Sequence, residues 1–319
     1  MCVRWAGFSL CCALALLAQA EPTQLKSIGV SVGSIDNPFY KAMVRGINAT
    51  ATGLNPSVRI NTVSAEFSLQ RQAGQIADFI SQHVDLIVLV AADPVAVGPY
   101  VHKAQQAGIV VIAADVDAAG ANGSVSSDNV QAGTIACRYL ADAIHGRGKF
   151  IIQDGPHVSS VYDRIAGCHA ALRSYPEITL LTDKDSGQGS SWGGAAIMTE
   201  HLQRYPHIDA VFAINDRQAI GANAAAARLG RNEMLIASVD GSPDIEKALA
   251  EHNPIAGSAT QDPYVLGKMA VELGNAIFKG EKPAQTVIKV TPQFITRANL
   301  VSYRGWTSGE VTNDVPRAP

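Results

Sequence analysis

The chain of 319 residues has little charge and few aromatic side chains: Asp, Glu, Lys and Arg make up 17% of it, and Phe, Trp and Tyr make up 6%. It also lacks a basic excess, because its formal net charge is −3, and this argues against nucleic acid as a partner. Past residue 20 it has no apolar run long enough to span a membrane. The apolar content of 47% favours a compact, well-packed protein over a disordered one.

Residues 1–20 have the pattern of a secretory signal peptide. One cation, Arg4, precedes an apolar run from Phe8 to Ala18, and the small residues of Ala18-Gln-Ala20 form a cleavage site ahead of Glu21. We therefore predict a cleaved signal peptide and a soluble exported protein that is mature from about Glu21.

Only two of the five cysteines, Cys137 and Cys168, follow this segment. In an oxidising compartment two such cysteines are candidates for one disulfide with a structural role. Both lie on predicted helices, and the alternative is that they are two buried, unpaired small hydrophobic side chains.

Short apolar runs alternate with amphipathic stretches along the whole mature chain, and this predicts repeated βα units and parallel sheets covered by helices on both faces. The runs fall into two series, which predicts two doubly wound lobes. Strands are predicted at Ile28–Val32, Val58–Thr62, Leu86–Val90 and Val110–Ala113, and then at Phe150–Gln153, Thr179–Thr182, Ala210–Ile214, Leu235–Ser238 and Ile255–Ala259.

An internal repeat supports the division into two lobes. The stretch 83–93 resembles the stretch 207–216, and each copy is followed by an apolar strand that ends in an aspartate, Asp115 or Asp240. We predict an N-terminal lobe of 25–127 plus 262–290 and a C-terminal lobe of 128–261 plus 291–310. The chain would then cross between the lobes three times, near Ser126–Asn129, after Ala259 and after Val290, and these crossings would form a hinge.

The first βα turn is the predicted ligand site, since ligands of open α/β sheets bind outside the carboxyl ends of the strands. After the strand Ile28–Val32, the turn ends at Asn37-Pro38, and Phe39 and Tyr40 follow on the helix. Adjacent rings on one helical turn cannot both face the core, so at least one is predicted to be free to contact a ligand.

An enzyme is not favoured. The first βα turn lacks the G-x-G-x-x-G series that binds a dinucleotide, and the eight histidines show no paired spacing typical of metal ligands. We also expect no nucleophile elbow of the kind that α/β hydrolases use. The expectation is therefore a binding protein with no cofactor and no metal, and an exported hydrolase is the least favoured alternative.

The chain resembles the periplasmic sugar-binding proteins of the ribose-binding type, the soluble receptors of ABC transporters, over essentially all of the mature sequence. The resemblance is carried by the order and spacing of several short motifs. They are Asn37-Pro38-Phe39-Tyr40, Ser127-Asp128-Asn129-Val130, Asp163-Arg164-Ile-Ala-Gly167, Asn215-Asp216, Val239-Asp240-Gly241 and Gln261-Asp262-Pro263.

This resemblance implies a periplasmic binding protein-like fold of type I with a three-segment hinge, and a monosaccharide or sugar alcohol in the cleft. It implies a periplasmic location and a monomer whose closed form docks on an ABC sugar permease. The alternative is a receptor that presents its closed form to a membrane sensor or chemoreceptor. The ligand contacts implied are Asn37, Phe39, Tyr40, Asp115, Arg164, Asn215, Asp240 and Gln261.

Departures from the ribose-binding pattern put ribose itself in doubt. Val116 stands where ribose receptors have an arginine, and Gly189 stands where they offer a phenylalanine. Trp192 is the residue predicted to supply the missing stacking face, with packing at a helix start as the alternative. With only Arg164 against two carboxylates, the pocket is expected to prefer a neutral or cationic ligand over an anion.

Overall fold

The structure, a computed structural model, describes residues 24–307, so the predicted signal peptide lies outside the described residues. Nine α-helices occur between residues 24 and 307, and two short 3₁₀ turns, Leu300–Ser302 and Gly305–Thr307, follow them. The helices are α1 Pro38–Leu54, α2 Leu69–Ser81, α3 Gly98–Gln106, α4 Asn129–Ala143, α5 Ser159–Leu172, α6 Ser191–Arg204, α7 Asp216–Arg228, α8 Pro243–Ala250 and α9 Pro263–Phe278.

The strands form two six-stranded sheets. The first has the order β11-β5-β4-β3-β1-β2 and is parallel throughout. Its strands are β1 Ser27–Val32, β2 Arg59–Ser64, β3 Leu86–Leu89, β4 Val110–Ala114, β5 Gly123–Ser127 and β11 Val287–Val290.

The second sheet has the order β12-β10-β9-β8-β6-β7, and only the edge pair of β10 with β12 is antiparallel. Its strands are β6 Arg147–Gln153, β7 Glu177–Thr182, β8 Ala210–Ala213, β9 Leu235–Asp240, β10 Ile255–Thr260 and β12 Phe294–Ile295. The predicted fold class of two parallel-sheet α/β lobes is confirmed.

Central strands are buried on both faces, which explains why they are continuous apolar runs in the sequence. All residues of β1, β3 and β8 are buried. The edge strand β2 instead has no buried residue, since each of its residues is exposed or partly buried. Sequence reasoning missed β5, β11 and β12, because β5 is the polar segment Gly-Ser-Val-Ser-Ser and the other two are short edge strands.

The chain passes between the sheets after Ser127, after Thr260 and after Val290. Backbone hydrogen bonds hold the crossings side by side: the amide of Asp128 donates to Val290 at 2.8 Å, and that of Thr260 donates to Gln293 at 2.7 Å. Strands of the first sheet lie within 25–127 and 262–290, and those of the second lie within 128–261 and 291–310. The lobe boundaries themselves stay a prediction.

Helices α4 and α5 pack with their backbones almost in contact, and this fixes the position of the α5 side chains. A Cβ atom at Gly133 would lie 1.9 Å from the carbonyl oxygen of Arg164, and one at Gly167 would lie 2.0 Å from that of Val130. Only glycine permits so close an approach. The structure also joins Cys137 on α4 to Cys168 on α5 by a disulfide.

Within 24–307, no helix combines the length and the apolar character needed to cross a membrane.

Candidate ligand-binding site

A cavity of about 220 Å³ lies between the two lobes, where the carboxyl ends of strands from both sheets face each other. Eight of the nine residues predicted to contact ligand line this cavity. They are Asn37, Phe39, Tyr40, Asp115, Arg164, Asn215, Asp240 and Gln261. All but Asn37 are buried. The ninth, Trp192, does not line it.

The N-terminal lobe presents two aromatic rings at the start of α1. Asn37 caps this helix, because its side-chain oxygen accepts from the amide of Phe39 at 3.0 Å, and Pro38 is the first helical residue. Phe39 and Tyr40 pack edge to face with ring centroids 5.4 Å apart, and both line the cavity. On its other side Phe39 packs against Trp306, with a centroid distance of 5.7 Å.

Asp115 follows β4 directly and takes a left-handed backbone conformation with a φ of 64°. A non-glycine residue there is strained, and such strain often marks a functional position. The hydroxyl of Tyr40 donates to Asp115 Oδ2 at 3.4 Å. Burial raises the pKa of Asp115 to about 6, although the Arg164 guanidinium and the Tyr40 hydroxyl act against this shift. Burial likewise raises the pKa of Tyr40 well above its ordinary value.

Arg164 projects from α5 and is held by contacts from three other segments of the chain. Its Nε donates to Asn129 Oδ1 at 2.9 Å, and its Nη1 donates to the carbonyl oxygen of Ile214 at 2.7 Å. The same Nη1 lies 3.5 Å from Asp240 Oδ1. Its Nη2 has no hydrogen-bond partner among the described residues, so the guanidinium is fixed in place with donors left for a ligand.

Asp240 is the last residue of β9, and its backbone also lies in the region that disfavours side chains, with a φ of 140°. Asp240 Oδ1 accepts from Gln261 Nε2 at 2.7 Å, and the carbonyl oxygen of Asp240 accepts from Trp306 Nε1 at 3.0 Å. Burial raises the pKa of Asp240 above its ordinary range, and the nearby Arg164 only partly offsets this. The second carboxylate oxygen, Asp240 Oδ2, has no hydrogen-bond partner among the residues that the structure describes, so it can accept from a ligand.

Asn215 and Asp216 are neighbours in sequence but make different contacts. Asn215 caps α7, because its Oδ1 accepts from the amide of Gln218 at 2.9 Å, and its Nδ2 donates to the carbonyl oxygen of Gly189 at 3.1 Å. Asp216 is the first residue of α7 and does not cap it. Asp216 is fully buried and accepts hydrogen bonds from two serine hydroxyls and one backbone amide, those of Ser238, Ser258 and Ser242.

Trp192 was predicted to contact the ligand, but the structure places it outside the cavity. The residue lies in the first turn of α6, and its side chain is 83% exposed. The packed face of that turn belongs to two glycines: a Cβ at Gly193 would lie 2.0 Å from Gly187 O, and one at Gly194 would lie 2.4 Å from Gln218 O. Trp192 is therefore on the opposite, solvent-facing side of the helix.

The motif Gly189–Gly193 reads G-x-S-x-G, a pattern that the sequence reasoning overlooked. Its serine, Ser191, is the first residue of α6, and the loop 183–190 separates it from β7. A nucleophile elbow needs a sharp turn directly from strand to helix. The motif therefore does not form one here.

Arg217 lines the cavity and was also missed. Its place in the sequence could have indicated this role, because Arg217 directly follows the motif Asn215-Asp216. Among the described residues, no group of His, Cys, Asp and Glu is arranged to hold a metal ion. The cavity thus offers carboxylate acceptors, guanidinium donors, amides that do both, and three aromatic rings, those of Phe39, Tyr40 and Phe67.

Comparisons with known proteins show the family to which this chain belongs. The family model described as periplasmic binding protein domain matches residues 28–282. Over 266 residues the chain is 29% identical to the ribose import binding protein of Bacillus subtilis (strain 168), which covers 82% of this chain and 84% of that protein. Over 285 residues it is 30% identical to the xylitol-binding protein of Mycolicibacterium smegmatis, which covers 88% of this chain and 80% of that protein.

A solved structure of an ABC transporter periplasmic solute binding protein from Actinobacillus succinogenes, with bound D-allose, matches with a TM-score of 0.80 and 25% identity. The match covers 87% of this chain and 100% of that chain. Such proteins are binding proteins rather than enzymes. The chain therefore belongs to the periplasmic binding protein family, within the group of sugar-binding solute receptors of ABC transporters.

Proposed function

We propose that this protein binds a monosaccharide or sugar alcohol between its lobes and delivers it, by lobe closure, to an ABC sugar permease. The observation that carries the proposal is the set of buried charges around the cavity. Arg164, Asp115 and Asp240 are each 6% exposed or less, yet each keeps polar atoms available to a ligand. Buried charges that keep such capacity are costly to a fold, so a binding role accounts for them.

Sugar hydroxyls both donate and accept, and the cavity matches both roles. Asp115 and Asp240 accept hydroxyl protons, Arg164 donates to ring and hydroxyl oxygens, and Asn215 and Gln261 contribute amides. Phe39 and Tyr40 cover the apolar C–H face of a sugar ring. A volume of about 220 Å³ is below the roughly 300–1,000 Å³ of pockets for drug-sized ligands, which supports a small ligand.

The names of the relatives support the same class without selecting one member. They include ribose, which is a pentose, xylitol, which is a sugar alcohol, and D-allose, which is a hexose. Because Val116 and Gly189 replace two ligand-contacting residue types of ribose receptors, we expect a ligand other than ribose.

Closure is the proposed means of delivery. Tyr40 and Asp115 belong to the first lobe and Arg164 and Asp240 to the second, so a ligand that touches all four is bound best when the lobes are together. A ligand with this preference shifts the population toward the closed form. The three adjacent crossings allow such a rotation, and the closed lobes would present a joint surface to the permease.

A thermal-shift screen of the mature protein tests the ligand class. The panel contains pentoses, hexoses, sugar acids, deoxy sugars, amino sugars and sugar alcohols, and the protein is unfolded and refolded first to remove any co-purified ligand. A ligand that binds only the folded state raises Tm by mass action. At least one strong shift is expected, and its absence for all panel members would overturn the proposed ligand class.

Uptake measurements test delivery. Cells that lack the protein should lose high-affinity uptake of the sugar identified by the screen and regain it when the protein is restored. Unchanged uptake together with a lost chemotactic response would instead support the sensing alternative.

A further inference from the structure

Arg217 occupies the junction of two cavities. Asn37, Arg217 and Asp240 line both the 220 Å³ cavity between the lobes and a neighbouring cavity of about 500 Å³ beside α7 and α8. The Arg217 side chain is half-buried. Within residues 24–307 it makes no hydrogen bond and no ion pair, whereas Arg164 in the same wall is held by several groups.

The position of Arg217 is unfavourable for the fold alone. It is the second residue of α7, where the helix dipole and the free backbone amides present positive charge, and a cation there is destabilising. The carboxylates nearby have other partners: Asp216 accepts from Ser238, and Asp244 pairs with Lys247 at 3.3 Å. A residue that breaks a local rule without a compensating contact is a candidate for a role in function.

The electrostatic balance of the cleft changes when Arg217 is included. The cavity wall then carries two arginines, Arg164 and Arg217, against two carboxylates, Asp115 and Asp240. Burial raises the pKa of Asp115 to about 6 and that of Asp240 above its ordinary range, so both acids lose negative charge more readily than exposed ones do. The expectation of a neutral or cationic ligand counted Arg164 alone, and the second arginine removes its basis.

We propose that the ligand is a sugar acid, a monosaccharide that carries one carboxylate, such as an aldonate or uronate. Its hydroxyls are bound by Arg164, Asp115 and Asp240, and its carboxylate is bound by Arg217 at the mouth of the cavity. The planar guanidinium matches a carboxylate through two parallel hydrogen bonds. Asn37 assists, because its side-chain oxygen is used by the amide of Phe39 and its amino group remains to donate. This inference rests on the proposed function.

Titration calorimetry with matched ligand pairs tests the proposal. The pairs are D-glucuronate with D-glucose, D-galacturonate with D-galactose, and D-gluconate with D-glucitol, each with the wild-type protein, Arg217→Gln and Arg228→Gln. Arg228→Gln is the charge-matched control, because it removes the same charge from the last turn of the same helix and Arg228 lines neither cavity.

For at least one pair, the wild-type protein should bind the acid at least tenfold more tightly than its neutral partner. Added salt should lower the affinity for the acid and leave the affinity for the neutral partner unchanged. Arg217→Gln should lose tenfold or more in affinity for the acid, with less than a twofold change for a neutral sugar. Arg228→Gln should match the wild type for both. Melting curves without ligand check that each variant is folded.

Two outcomes separate the proposals. Binding of neutral sugars with no preference for acids, or an equal loss for both in Arg217→Gln, overturns the sugar-acid inference and leaves the proposed function intact. An equal loss of affinity for acids and neutral sugars in Arg217→Gln would identify Arg217 as a contact between the closed lobes. Binding of neither class to the folded wild-type protein overturns the proposed function as well.

Discussion

Asp240→Asn is the substitution that separates ligand binding from folding most clearly. The amide has the shape of the carboxylate and keeps an oxygen that accepts from Gln261, which now donates to Asp240 Oδ1 at 2.7 Å. The other oxygen, Oδ2, has no hydrogen-bond partner among residues 24–307, and Asp240 lines the cavity, so Oδ2 is the atom that we assign to a ligand hydroxyl. Substitution by asparagine replaces that acceptor by a donor and removes the charge.

The expected loss of affinity follows from the type of bond removed. A hydrogen bond to a charged group contributes about 1.5–3 kcal/mol, which corresponds to a roughly 10- to 150-fold rise in Kd. The fold should lose little. Burial raises the pKa of Asp240 even though Arg164 is 3.5 Å away, which means that the cost of burying the charge exceeds the attraction of its partner. At pH 8 we expect the free energy of unfolding without ligand to stay unchanged or to rise, because asparagine has the neutral form that burial favours at this position even beside Arg164.

Titration calorimetry with the sugar found in the screen measures the affinity, and urea unfolding without ligand measures the stability. Asp78→Asn is the matched control, because Asp78 is exposed on α2 and lines none of the cavities described. An affinity within twofold of the wild type would refute the assignment of Asp240 to the ligand. A large loss of stability would refute the reasoning about its buried charge.

Three further results are expected. Asp216→Ala should lower the free energy of unfolding by about 3 kcal/mol or more in urea, because each of its three buried donors left unpaired costs roughly 1–3 kcal/mol; a loss below about 1 kcal/mol would contradict its structural role. The pKa of Asp115 is raised from 3.8 to about 6, so the folded state binds more protons than the unfolded state in that range and stability falls as pH rises through it. Asp115→Asn should reduce this fall, and superimposable profiles of Tm against pH would count against it. Replacing both Cys137 and Cys168 by alanine should lower stability by about 4 kcal/mol, given a sequence separation of 31, and an unchanged Tm would contradict that estimate.

Much of the site could be predicted from local sequence because of a rule of sheet geometry. Asp115 and Asp240 each end a buried strand run, and the carboxyl ends of parallel strands meet at one edge of a sheet. Asn37 precedes a proline that starts a helix, so its place at the strand-to-helix turn could also be read directly. The strands that were missed, β5, β11 and β12, are polar or short, so hydrophobic periodicity carries little information about them.

Residues on one helical turn could not be separated by sequence alone. Asn215, Asp216 and Arg217 are consecutive, and each is a plausible cap or ligand contact. Contacts with distant segments decide among them, because Ser238 on β9 and Ser258 on β10 bind the Asp216 carboxylate and draw it into the core. Trp192 is a similar case. Gly193 and Gly194, which follow it on α6, pack against Gly187 and Gln218, and this packing leaves Trp192 on the solvent-facing side of the helix.

The sequence by itself determined the two-lobed α/β architecture and the strand ends at which a ligand is met, because apolar periodicity and turn residues act over short stretches of chain. Only the tertiary structure decided which polar side chains share one cavity and which are used up in the core. Burial, ion pairing and the pKa of a carboxyl depend on atoms brought together from distant parts of the chain. The junction position of Arg217, between two cavities and without a partner among the described residues, is a property of that kind.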